Sequence, residues 1–153
     1  MLSRRSFIQR TSGGLIALGQ ARSTPPGTTQ VFYDPATLRH EPSPDHPESP
    51  QRIQTVRQIV GQFERQGRLA VVAPRTATDD DVLLVHTVDY VKKVRAETAA
   101  GRRTLSTGDT EISPGSLGAA LAAAGTVVSA VDAVVSGRTR TAFCAVRPPG
   151  HER

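Results

Sequence analysis

Apolar positions along the chain switch between short continuous runs and helical spacing. Val31, Phe32 and Tyr33 form a run that predicts the start of a strand. Residues 34–50 then carry five of the eleven prolines, and a residue type with fixed φ and no N–H predicts an extended loop there. Ser49 before Pro50 is a helix start, and Ile53, Val56, Val60 and Phe63 recur at helical spacing until Gly67 closes the pattern, so this face is expected to be core. Residues 69–72 are a brief apolar run before Pro74 and predict a buried strand. Thr78 with Asp81 opens a capped helical turn, and Thr87 starts a further helix with Tyr90, Val91 and Val94 inward and Gly101 as its end.

After a polar loop at 102–112, Ser113-Pro114 opens the clearest helix of the chain. Leu117, Leu121, Ala124, Val128, Val131 and Val135 share the face expected to be buried, an Ala-rich flank permits close packing, and Gly137 supplies the stop. Residues 141–146 read as a strand of buried type that leads into Arg147-Pro148-Pro149-Gly150-His151. Strands alternating with helices predict an α/β fold with a parallel sheet and helices against its faces. No internal repeat is present.

Residues 1–21 do not fit this pattern. Ser3-Arg4-Arg5-Ser6-Phe7-Ile8-Gln9 resembles a twin-arginine export box, with a weakly apolar stretch at 13–19 and small residues up to Ala21. An export signal over 1–21 is expected, placing the remainder in the periplasm or outside the cell; a basic tail is the alternative. The apolar stretch is shorter than the ~20 residues that span a bilayer, so no permanent membrane span is expected from it. Residues 22–30 read as a linker and 31–153 as the domain. The formal charge of +5 falls to +2 once Arg4, Arg5 and Arg10 are set aside, and no basic block remains, so no nucleic-acid partner is expected. Cys144 is the single cysteine and forms no intramolecular disulfide. With 4% aromatic residues the core rests on Val, Leu, Ile and Ala.

Chemistry enters through four short segments: His46-Pro47-Glu48-Ser49-Pro50-Gln51-Arg52-Ile53, Val85-His86-Thr87-Val88-Asp89-Tyr90-Val91, Gly108-Asp109-Thr110-Glu111-Ile112-Ser113-Pro114-Gly115-Ser116, and the strand and turn from Phe143 to His151. In this order they resemble the zinc-dependent deacetylases of the histone deacetylase and acetylpolyamine amidohydrolase family. The resemblance implies the N-terminal part of a three-layer αβα arginase/deacetylase-like fold. In such proteins a zinc ion, held by an Asp-x-His pair and a further Asp, activates the water that attacks an acetyl-amide carbonyl. Tandem histidines handle the proton, and a later tyrosine bonds the oxyanion.

Carried over by position, His151 matches the first of the two histidines, and Glu152 stands where the second is expected. Arg52 matches an arginine lining the internal channel, and Asp109 an acidic residue on the substrate rim. Each has a plainer reading, as a solvated helix-start charge and a turn-forming aspartate. Asp-x-His does not occur in the 153 residues. Zinc is therefore expected of the complete family member and not of this chain. The chain reads as a truncated deacetylase without catalysis of its own, whose family substrate is an acetylated amine, acetyl-lysine or acetylpolyamine. A short exported module that binds or completes a partner is the alternative, and the oligomeric state is not indicated. His40, Asp45 and His46 are expected to serve the loop rather than a metal, His86 to pack or cap, and Cys144 to be an inert core thiol.

Overall fold

A computed structural model describes residues 28–149. The segment read as an export signal, most of the linker, and His151 and Glu152 lie outside the described residues. Three parallel strands form one sheet in the order β2-β1-β3: β1 (Thr29–Phe32), β2 (Leu69–Val72) and β3 (Ala142–Cys144). Between them run a 3-10 helix (Pro35–Arg39), α1 (Pro50–Arg65), α2 (Asp79–Leu83), α3 (Val88–Ala99) and α4 (Ser116–Val135).

Strand alternation divides the core in two. Val31 and Tyr33 point to one face and meet Ile53, Val56 and Val60 of α1, with Ala145. Phe32 points to the other and meets Ala130 and Ala133 of α4, with Val72 and Cys144. The result is a layered α/β arrangement with the sheet in the middle. Helix ends follow local chemistry: Gly67, Gly101 and Gly137 take φ of 69°, 69° and 74°, where a side chain would be strained. Thr78 and Asp81 close a reciprocal capping box on α2.

Several expectations are corrected. Thr29 and Gln30, read as linker, already pair with Leu69 and Ala70, because backbone pairing does not depend on an apolar side chain. The stretch 34–50 is not extended throughout. Asp34 accepts from Ala36 N at 2.8 Å and so caps the 3-10 helix, with Pro35 in the first turn where its missing N–H does no harm. β2 is not fully buried, since it is a sheet edge and Val71 is exposed. β3 is shorter than 141–146, and Phe143 is exposed rather than covered.

The largest correction concerns α4, which starts at Ser116 rather than Ser113. Its buried face is Ala119, Ala122, Ala123, Gly125, Thr126, Ala130 and Ala133, while Ala124, Val131 and Val135 of the expected face are exposed. Close approach decides this. A Cβ on Gly125 would lie 2.2 Å from Arg75 O and 2.4 Å from Ala77 N, so only the small-residue face fits against the neighbouring backbone.

Candidate functional site

The segment 34–49 and the exit of β3 meet at Arg147. The 3-10 helix, held by Asp34 and by Thr37 Oγ1 donating to Asp34 O at 2.6 Å, presents carbonyls from Thr37 and, just beyond its end, His40. Arg147 Nη1 donates to both, at 3.0 Å to Thr37 O and 2.7 Å to His40 O. Its Nε donates to Glu48 Oε1 at 2.9 Å, and the side chain is only 3% exposed. Nη2 is buried and has no partner among the described residues. The other Glu48 oxygen pairs with Arg52, whose side chain is 65% exposed. One carboxylate thus bridges a buried and a solvated guanidinium.

A second set of bonds ties the same loop to the start of α4. His40 Nδ1 lies 2.8 Å from Ser116 Oγ, and Ser113 N donates to that same oxygen at 2.7 Å. Burial, and after it the Arg147 charge, holds the His40 imidazole below its ordinary value. Ser43 N donates to Glu111 Oε2 at 2.8 Å, which keeps that carboxyl below the usual range. Glu111 and Ser43 also line an open cleft of about 290 Å³ with Glu41, Arg103 and Thr104.

Three of the four motif segments therefore converge on one network. The fourth stays apart: His86 is exposed and stacks on Tyr90 with ring centroids 5.0 Å apart. Asp109 sits in the exposed loop closed by the Thr104–Glu111 bridge, two residues from the cleft-lining Glu111. Arg52 is at the surface of the first turn of α1. His46 Nδ1 accepts from Glu48 N at 3.0 Å, so it shapes the approach to α1. Cys144 is half-buried, and burial raises its thiol pKa, which disfavours the nucleophilic thiolate. Among the described residues no three His, Cys, Asp or Glu side chains gather as a metal site. The described donors do not fit a zinc centre.

Arg147 and Glu48 both lie within the motif segments, but their place in the sequence gives neither a role. Periodicity cannot find such a pair. The signal available was a charged residue directly after an apolar strand, where burial demands a counter-charge.

A parallel sheet between helices, with a buried ion pair joining the loop after β1 to the turn after β3, defines a layered α/β protein. Residues 46–152 match the histone deacetylase domain, and the chain belongs to that family. It is 37% identical over 126 residues to a probable deacetylase of Archaeoglobus fulgidus, covering 80% of this chain and 34% of that protein. A histone deacetylase-like amidohydrolase of Pseudomonas aeruginosa is 34% identical over 140 residues, covering 80% of this chain and 37% of its own length. The crystal structure of the HDA15 HD domain superposes with a TM-score of 0.71 at 28% identity, over 81% of this chain and 36% of that one. The chain thus spans about a third of the length of the curated relatives it matches.

Proposed function

We propose that these residues form the N-terminal scaffold of a zinc-dependent deacetylase acting on acetylated amines, and that the 153-residue chain by itself neither holds zinc nor hydrolyses an acetyl amide. The observation that carries this reading is the Glu48–Arg147 pair. It joins the His46–Ile53 segment to the strand-exit turn that leads to His151, the residue the family resemblance makes the first active-site histidine. In this reading the scaffold holds that turn, Arg52 lines the channel, Asp109 stands on the rim, and the metal ligands come from elsewhere in the domain. Export through the twin-arginine route belongs to the same reading, since that route carries folded proteins. A partner-completing module is the second reading, favoured by the sheet edge at β3.

The test is a chimera in which residues 31–151 replace the matching stretch of the Archaeoglobus fulgidus protein. It should bind one zinc and release acetate from an acetyl-lysine peptide or an acetylpolyamine, whereas the 153-residue chain should do neither. A folded chimera that binds zinc but hydrolyses neither substrate would overturn the deacetylase reading. Zinc-dependent hydrolysis by the chain alone, lost in His151→Ala, would overturn the scaffold reading.

A further inference from the structure

His40 is a buried ionisable ring that holds two elements at once. It is 6% exposed. Its Nδ1 lies 2.8 Å from Ser116 Oγ at the start of α4, while its carbonyl accepts from Arg147 Nη1 at 2.7 Å. Neighbouring residues complete the clasp: Glu41 N donates to Ser113 Oγ at 3.0 Å, Ser113 Oγ donates to Arg39 O at 3.4 Å, and Ser43 N donates to Glu111 Oε2 at 2.8 Å. The clasp has no slack, since a Cβ on Gly115 would stand 2.2 Å from Arg39 O.

Charge decides what a proton on this ring would do. The groups facing it are Arg147 from the turn after β3, Glu48 and His46 from the loop before α1, and Glu111 from the loop before α4. Glu48 is already shared by Arg147 and Arg52, and Glu111 is bonded by Ser43 N. A protonated His40 is therefore a second buried cation beside Arg147 with no carboxylate left for it, which desolvation makes costly. Moving the segment out to water relieves that repulsion. Neither apolar cluster contains a residue from 39–49, so the core does not have to open with it.

We propose that His40 is an acid-released latch: when its ring takes a proton, residues 40–46 leave the start of α4, Arg147 loses one of its two carbonyls, and the turn toward residue 148 slackens while sheet and helices stay folded. The cleft lined by Glu41, Ser43 and Glu111 opens with it. Burial, and after it the Arg147 charge, holds the latched ring below its ordinary value of 6.5. A released ring takes the proton more readily, so the latch is closed above 6.5 and opens as pH falls below it. The device needs no catalysis, so it stands apart from the deacetylase reading.

The experiment follows the full chain by NMR from about pH 7.5 to about pH 5. The His40 ring-carbon signal reports its proton, and hydrogen exchange, corrected for the intrinsic effect of pH, reports protection. Expected is a loss of protection of about tenfold or more at Glu41 N, Ser43 N and Arg147 Nε, with the midpoint of the ring titration and with the Gln30 and Ala130 amides unchanged. The Ser43 bond holds the Glu111 carboxyl below its usual range, so Glu111 stays ionised and a loss at Ser43 reports the loop rather than its acceptor. His40→Asn should keep protection constant over the same range. Should that variant not fold, Ser116→Ala answers instead: without the ring's partner, Glu41 and Ser43 should be unprotected already at about pH 7.5, with no step below it. A ring that titrates while protection holds would overturn the proposal. So would a loss shared equally by Gln30 and Ala130, or a step that survives in either variant.

Discussion

Arg147 Nε donates to Glu48 Oε1 at 2.9 Å across 99 residues of sequence, with the guanidinium almost wholly removed from water. Two backbone carbonyls take Nη1, so the turn after β3 is fastened to the loop before α1 through one side chain. Such an anchor fixes the direction of the chain toward residue 148, and its weight can be measured.

Glu48→Gln removes the charge that compensates Arg147 and should destabilise the protein by about 3 kcal/mol, as breaking a buried pair does. Arg52→Ala removes the exposed arm of the same carboxylate and should cost under ~1 kcal/mol. Urea denaturation of both variants checks this. Equal losses would show that the pair with Arg147 is no stronger than a surface contact.

Gly125→Ala should destabilise by about 3 kcal/mol or prevent folding, because its Cβ would enter the Arg75 carbonyl and the peptide before Ala77. Gly118, on the same helix, has open space around the added carbon, so Gly118→Ala should stabilise by roughly 0.5 kcal/mol. Opposite signs in thermal melts are the expected outcome. A harmless Gly125→Ala would mean that α4 does not approach residues 75–77 as closely as described.

Acid should weaken the fold in two steps. The His40 imidazole sits below its ordinary value of 6.5, chiefly through burial and then through Arg147, with His46 adding to the effect and Glu48 and Glu111 opposing it. The unfolded chain therefore takes the proton first as pH falls, so stability is full above 6.5 and declines below it. His40→Asn should flatten the urea midpoint between about pH 7 and about pH 5. Asp81 is held well below the usual carboxylate range, first by Arg75 and then by the Thr78 amide and hydroxyl. Its contribution is present above the ordinary carboxylate value and lost as pH falls toward the folded one. Asp81→Asn should shrink only that lower step, to which the lowered carboxyls of Glu97 and Glu111 also contribute.

Replacing Arg4 and Arg5 by Lys keeps the charge of the N-terminal segment but should abolish export of a reporter fused after Ala21, if the pair is read as a twin-arginine box. Export that persists in the Lys-Lys variant would point to a general secretory signal. No export by either form would leave the segment as a basic tail.

Much of the architecture was legible from local chemistry. The three glycine stops, the Thr78 and Asp81 box, the Pro50 start of α1 and the three strands each depend on residues a few positions apart, so reading along the chain finds them. The motif segments marked the family because their side chains recur at short spacing.

Other features required the chain to meet itself. Spacing alone marks the bulkiest apolar stripe of α4 as its core face, yet packing against the 75–77 backbone selects the Ala and Gly face and turns Val131 and Val135 outward. The rule that failed measures apolarity, whereas the distance between a helix and its neighbours is set by side-chain size. Arg147 and Glu48 look like ordinary surface charges when read in order, because their partner is 99 residues away. Local chemistry along the chain set the order of the three strands and the four α-helices, the glycine stops and the family. Tertiary structure alone decided which face of α4 is buried, which charges are paired and which edge of the sheet stays open, because each depends on contacts between segments that are remote in the chain.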